Sequence, residues 1–449
     1  MQYLKLNPLS YVHEGRLTFQ HQRTLKCLTL TREIRTALAP FFSRFDSPVV
    51  RLGHRLPQDP EPLVNAGILV AADQVETLIR REERIAITGQ EDGDLIYLLL
   101  AAERAGITWW IVHDGFAPVV LFSRRTRNAA IRPQAAYLHD HSFLGEATQI
   151  ASITRVKAVA NHLGRTWGWE VPRQVFLPAS IAARAASPPG STDVAYWVAL
   201  QWQSKLGFPL IVKPAGQSVS RGVTLVRDEA SLERAVARVF ALFDKGVVVE
   251  RRIRGPEWRV LMLANGRYAA YRRIHPSVLG NGRSTVRELI DERQRQREEF
   301  FASRRYLRHA HAPPLGGVVR RTLLEQRLRL DSVVARGRRV SLSLTQTHEI
   351  ENTSEDATAL LSRAKQRKLL QIVKRLGAAR LGFDLIGAPI SAGRFPAILE
   401  VNSRPFLVRH EEPDRGDPQP AARMLLDMFL SRGLSSEQLA RLGQRVGRW

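Results

Sequence analysis

The chain has 449 residues and a single cysteine, Cys27. One thiol excludes an intrachain disulfide framework and makes a reducing, cytoplasmic setting the expectation. Within LKCLTL, Cys27 reads as a small core residue. No apolar run approaches the roughly 18 residues of a membrane helix, so no membrane partner is expected, and MQYLKLNPLSYVHEG lacks the apolar centre of a secretory signal. No fixed-period repeat is present, which argues against solenoids and propellers. Lysine is scarce, at nine of the 67 basic residues. The net charge of +24 invites a nucleic-acid reading. Arginine is spread from end to end, however, and its densest cluster, Arg293 to His311, is interleaved with glutamate. That distribution disfavours a nucleic-acid stripe and suits local sites for an anionic nucleotide or an acidic peptide.

The length fits two to four domains. Residues 1–80 read as a separate module. The run SYVHEGRLTFQHQ is a hairpin turning at Glu14-Gly15, LKCLTL is a strand, Thr31 caps a helix, and PEPLVNAGILV holds a short helix ending at Gly67. Residues 81–150 hold a strand (RIAITG), a helix (GDLIYLLLAAERAG) closed by Gly106, and a second strand (ITWWIVH). That pattern predicts a parallel pair with a right-handed crossover. GQEDGD after the first strand is not a dinucleotide fingerprint. From about 151 to 432 strands and helices alternate, and 433–449 reads as a basic terminal helix.

The chemistry concentrates in four segments. FPLIVKPAGQSVSRGVTLV is a strand, a small-residue loop and a strand; Lys213 ends the first strand as a point charge for phosphate oxygens. The loop residues Gly216, Ser218, Ser220, Arg221 and Gly222 can close backbone N–H groups over a triphosphate. In VVVERRIRGPEWRVLML an apolar strand runs to Glu250, and Arg251 to Ile253 form a linker with free backbone groups, suited to pairing an adenine edge. After the Gly255-Pro256 turn, Glu257 offers a carboxylate to ribose hydroxyls, and Arg259 lies on the same strand face. LGFDLIG and FPAILEVN carry Asp384, Glu400 and Asn402, three hard oxygen ligands of the kind Mg²⁺ takes. Taken singly, each segment also fits an ordinary hairpin.

In this order the segments resemble the ATP-grasp superfamily, and most closely the ATP-grasp part of cyanophycin synthetase and of bifunctional glutathione synthetases. The likeness includes YRRIHPSVLGNGRSTVRELID and RPFLVRHEEPDRGDPQP and covers roughly residues 95–432. It implies an α/β and α+β fold: a pre-ATP-grasp domain at 81–150 and two subdomains clasping ATP within 151–432. Outside that likeness, the hairpin and helices of 1–80 resemble a winged-helix fold and the peptide-recognition domains attached to enzymes that modify ribosomal peptides. The ATP-grasp likeness implies Lys213, Ser218, Ser220, Arg221, Gly222, Glu250, Arg251, Ile253, Glu257, Arg259 and Leu399 at ATP. Asp384, Glu400 and Asn402 would sit at two Mg²⁺ ions, with Mn²⁺ as the substitute ion. Lys213 and Arg273 would stabilise the transferred phosphate, and His410 would lie near the acceptor. Three departures stand out. Ile153 replaces one lysine of a D-K-x-x-T-K context, with Lys157 four residues on; Asn281 replaces the Asp of V-x-G-D-G; and THEIENTSEDAT (347–358) replaces a substrate-facing loop.

The implied activity is ATP-dependent ligation of a carboxylate to an amine through an acyl-phosphate, on an amino acid or peptide. Without the partner halves of the bifunctional relatives, a stand-alone ligase or a modifier of a ribosomally made peptide is expected, and self-association is left open. The competing readings are an ATP-binding scaffold or regulator that lost the acceptor site, and a nucleic-acid binder. Deleting residues 1–80 is expected to leave Mg-ATP binding intact and weaken peptide recognition.

Overall fold

The computed structural model describes the chain except residues 1–2, 39–48, 52–59, 82–92, 114–117, 125–133, 180–198, 217–221, 304–316, 344–351, 433–449 and scattered shorter gaps. The expected strand at 84–89, the loop residues Ser218, Ser220 and Arg221, the start of the rewritten 347–358 segment and the terminal stretch all lie outside the described residues.

Two antiparallel sheets dominate. The first, in spatial order, joins Gln174–Leu177, Val247–Arg251, Leu210–Pro214 and Thr224–Val226. Period-2 alternation sorts its faces. Leu210, Val212, Val247 and Val249 pack on the helix Glu229–Leu242 through Leu232, Val236 and Val239. Ile211 and Lys213 pair with Glu250 and Val248 and point the other way. A reciprocal capping box starts the helix: Ser231 N donates to Asp228 Oδ1 at 2.7 Å, and Asp228 N to Ser231 Oγ at 3.2 Å.

The second sheet runs Thr353–Asp356, Tyr268–Ile274, Glu257–Leu263, Arg380–Ile386 and Ala397–Asn402. Along EWRVLML, Trp258, Val260 and Met262 face a core under the helix Arg363–Arg375. Leu261 and Leu263 face a core that includes Leu425 and Phe429 of the helix Ala421–Arg432. Glu257 and Arg259 share that second face but sit at its other, polar end.

The segment 347–358 supplies the edge strand Thr353–Asp356 rather than an open loop over its described part. Asn281 has a local role: its Oδ1 accepts from Arg283 N and Ser284 N at 2.9 and 2.8 Å, an Asx turn that Asn and Asp make equally well. A Thr285–Glu288 capping box then opens the helix Val286–Ser303.

The strand Thr108–His113 joins an antiparallel meander with Pro118–Arg124, Gln134–His139 and Ser142–Phe143, as adjacent strands joined by short links do. Its expected parallel partner lies outside the described residues. The hairpin Ser10–His13 with Arg16–His21, the strand Thr24–Thr29 and the helix Glu61–Asn65 with Gly67 at φ +77 form as read. Leu6, Leu17, Phe19, Leu30, Ile68 and Leu69 form a core of their own, and the helix Val75–Arg81 follows it. Leu9, Val75 and Ile79 are fully buried in one core with Leu95, Leu99, Trp109, Phe122, Leu425 and Phe429.

Candidate active site

The polar faces of the two sheets meet across a cleft of about 390 Å³. From the first sheet come Ile211, Lys213, Glu250 and Arg251; from the second, Glu257, Asp384, Leu399 and Glu400. The connection Arg252, Ile253, Arg254 and Gly255 closes one end. Gly255 is required there: at φ +139, a Cβ would lie 2.5 Å from the carbonyl oxygen of Gly387. The strand extends through Arg251, one residue beyond the sequence reading. Arg251 N donates to Arg173 O at 2.9 Å and Arg252 N to Pro209 O at 3.2 Å, so the hinge is held on both sides.

Lys213 and Glu250 are buried as an ion pair, Nζ to Oε2 at 2.7 Å. The ammonium offsets the carboxylate's charge, so neither ion is buried alone. Glu257 Oε1 contacts His275 Nε2 at 2.9 Å.

Asp384 and Glu400 stand directly opposite each other on neighbouring strands. The register shifts there, so that Leu385 pairs with Ile398 and Leu399 becomes the extra residue. The bulge turns Leu399 and Glu400 together into the cleft while Ile398 and Val401 stay buried. Asp384 Oδ1 is held by Arg259 Nε at 2.9 Å and Arg273 Nη2 at 3.4 Å, and Glu400 Oε1 by Lys157 Nζ at 3.5 Å. Burial opposes the charge on Arg273, but Asp384 first, then Tyr271 and Glu257, raise its pKa above the ordinary arginine value. Asn402 lies two positions past Glu400, across from Gly382, and is not in the cleft lining. Among the described residues no three His, Cys, Asp or Glu could hold a metal alone. Two carboxylates and an amide oxygen do fit Mg²⁺, which completes its shell with water and substrate phosphate.

Arg259 and Arg273 sit behind Asp384 rather than in the lining. Gly222, at φ +78, abuts Pro214 beyond the cleft wall. His410 lines neither this cleft nor the cavity next to it; it is buried against Tyr271, with both ring nitrogens free of hydrogen bonds. Burial first and Arg259 second push its pKa down to about 3. The sign follows: the unfolded imidazole binds a proton near pH 6.5 that the folded one refuses, so stability is lost as pH falls below 6.5 toward 3. Between pH 6 and 4 this single group should cost about 1.4 kcal/mol per pH unit. Urea midpoints of the wild type and His410→Phe across that range check it; parallel pH slopes would refute the assignment.

Sequence reading missed Lys157 as a cleft residue. Its signal was present, since it keeps the last lysine of the D-K-x-x-T-K context. His275, Ser341 and Ser343 also line the cleft. They had no local signal, because the fold brings them in from distant segments.

Residues 191–295 match the family model described as D-ala D-ala ligase C-terminus. A bifunctional glutathione biosynthesis protein from Mannheimia succiniciproducens is 28% identical over 232 residues, covering 50% of this chain and 30% of its own. A cyanophycin synthetase from Nostoc sp. is 29% identical over 228 residues, covering 50% of this chain and 25% of its own. The matched region thus spans less than a third of these relatives. A crystal structure of a bifunctional glutathione synthetase from Pasteurella multocida superposes with a TM-score of 0.51 and 19% identity, over 80% of this chain and 46% of that one.

Proposed function

We propose, from the premise that this chain belongs to the ATP-grasp superfamily, that it is an ADP-forming ligase joining a carboxylate to an amine on an amino acid or peptide. The observation that carries this is the pairing of Asp384 with Glu400 across the cleft floor, flanked by Lys157 and Lys213.

The base enters beside the hinge Arg251 to Ile253. Glu257 takes the ribose hydroxyls. Lys157 and Lys213 hold the phosphates as point charges. Asp384, Glu400 and Asn402 would hold Mg²⁺, which supplies neutralisation of the charge on the transferring phosphoryl group. An oxygen of the substrate carboxylate attacks the γ-phosphorus, the bond to the β,γ-bridging oxygen breaks, and ADP leaves. The amine nitrogen then attacks the acyl carbon, phosphate departs, and the nitrogen loses a proton to give the amide. Arg273 and Arg259 hold Asp384 in place from behind, so their part is positioning.

Mg-ATP is expected to stabilise the protein by linkage, by about 2.7 kcal/mol at a hundred times its Kd. Thermal melts with and without Mg-ATP test this, followed by mass analysis of products from ATP, Mg²⁺ and pooled amino acids and dipeptides. A shift without ADP or product would favour the scaffold reading. No shift at millimolar Mg-ATP would remove the nucleotide site itself.

A further inference from the structure

Glu257 opens the strand Glu257–Leu263 with its side chain only 11% exposed, and its Oε1 lies 2.9 Å from Nε2 of His275. Both residues line the nucleotide cleft. His275 also lines an adjoining cavity of about 990 Å³, so its ring stands where the two spaces meet. A carboxylate only accepts hydrogen bonds, so Nε2 carries the ring proton and donates it to Glu257. Nδ1 is buried and makes no hydrogen bond among the described residues, so the contact with Glu257 is what orients the ring.

The backbone is fixed on both sides of His275. Ile274 before it ends the strand Tyr268–Ile274 and pairs with Thr353 of the edge strand. Pro276 after it holds position 275 to extended backbone, and the Pro276 carbonyl accepts from Leu342 N at 2.9 Å. Arg273, two residues earlier and directly opposite Glu257 in the register, reaches Asp384 at 3.4 Å. One stretch of chain thus braces two cleft carboxylates: Arg273 holds Asp384, and His275 holds Glu257.

We propose that His275 is a positioning residue for Glu257, and that through it the cleft selects a nucleotide with ribose hydroxyls over one without them. The proposal rests on the ribose role given to Glu257 above. A glutamate side chain free to turn loses that freedom when it binds. Tied to the imidazole, it meets that cost on folding, before the nucleotide arrives. Hydrogen bonds to an ionised acceptor are the strong ones, and their strength is realised only while the carboxylate is aimed at the hydroxyls.

The test uses the full chain with Mg²⁺, titrated calorimetrically with ATP and with 2′,3′-dideoxy-ATP. The wild type should bind ATP about tenfold tighter than the dideoxy analogue, and Glu257→Ala should bring the two affinities together. His275→Phe should weaken ATP by about tenfold and leave the dideoxy analogue, whose binding also reports the variant's fold, unchanged. His275→Gln keeps an N–H donor and should restore most of the preference for ATP. A His275→Phe variant that keeps the wild-type preference, or that weakens both nucleotides alike, would overturn the proposal, while the Glu257→Ala result would still uphold the ribose role of Glu257. A wild type that binds both nucleotides equally would end that ribose role, and the proposal with it.

Discussion

Replacing Glu400 by Gln is expected to lower kcat for ADP release by about 10³-fold or more, while Kd for the nucleotide moves by less than about tenfold. Gln keeps the side-chain length, so the bulge at Leu399 and the packing of Ile398 and Val401 survive. What goes is the negative charge opposite Asp384, which would hold Mg²⁺ against the transferring phosphoryl group. Lys157, now paired with Glu400 at 3.5 Å, would be released toward the phosphates, which offsets part of the loss in ground-state binding. The asymmetry between turnover and binding is the signature of a group that acts mainly in the transition state. A fluorescent ATP analogue gives the affinity and a coupled ADP assay the rate. Undiminished ADP release would sink the role given to Glu400.

Removing residues 1–80 is expected to prevent the remainder from folding, which reverses the expectation drawn from the sequence. The cut would fall inside the helix Val75–Arg81 and strip Leu9, Val75 and Ile79, each 0% exposed, from the core they share with the helices Gly93–Arg104 and Ala421–Arg432. It would also remove Ser10–His13 from its place beside the strand Thr108–His113. Each such buried aliphatic side chain is worth about 2–5 kcal/mol when truncated, against a total stability of about 5–15 kcal/mol. The point variant Ile79→Ala should lower the unfolding free energy by about 2–5 kcal/mol, with one cooperative transition moving as a whole. If residues 81–449 instead fold with the melting temperature and Mg-ATP affinity of the full chain, the module is an independent unit and a substrate-reading role returns.

The candidate site was legible where its chemistry lies in short runs along strands. Lys213, Glu250, Glu257, Asp384 and Glu400 are each the polar exception in or beside a short apolar strand run, which marks them without any tertiary information. Leu399 is different. Strict alternation would turn it away from Glu400, and only the register shift between Asp384 and Leu385 turns both into the cleft. The positions of Arg259 and Arg273 behind Asp384 depend on the pairing of three strands, which no single segment encodes.

By itself the sequence carried the resemblance to the ATP-grasp superfamily and the order of the strands and hinge that line the cleft, because each depends on residues within a few positions of one another. The tertiary structure alone decided the rest. It made the meander at Thr108–Phe143 antiparallel, packed Leu9, Val75 and Ile79 into the core of the residues that follow them, and drew Lys157, His275 and Ser341 to one cleft. It also set the arginines of the helix Val286–Ser303 against Arg339 and Arg415 around a second cavity. These features rest on contacts between segments tens to hundreds of residues apart, and such contacts are selected by the packing of whole faces, which local patterns do not specify.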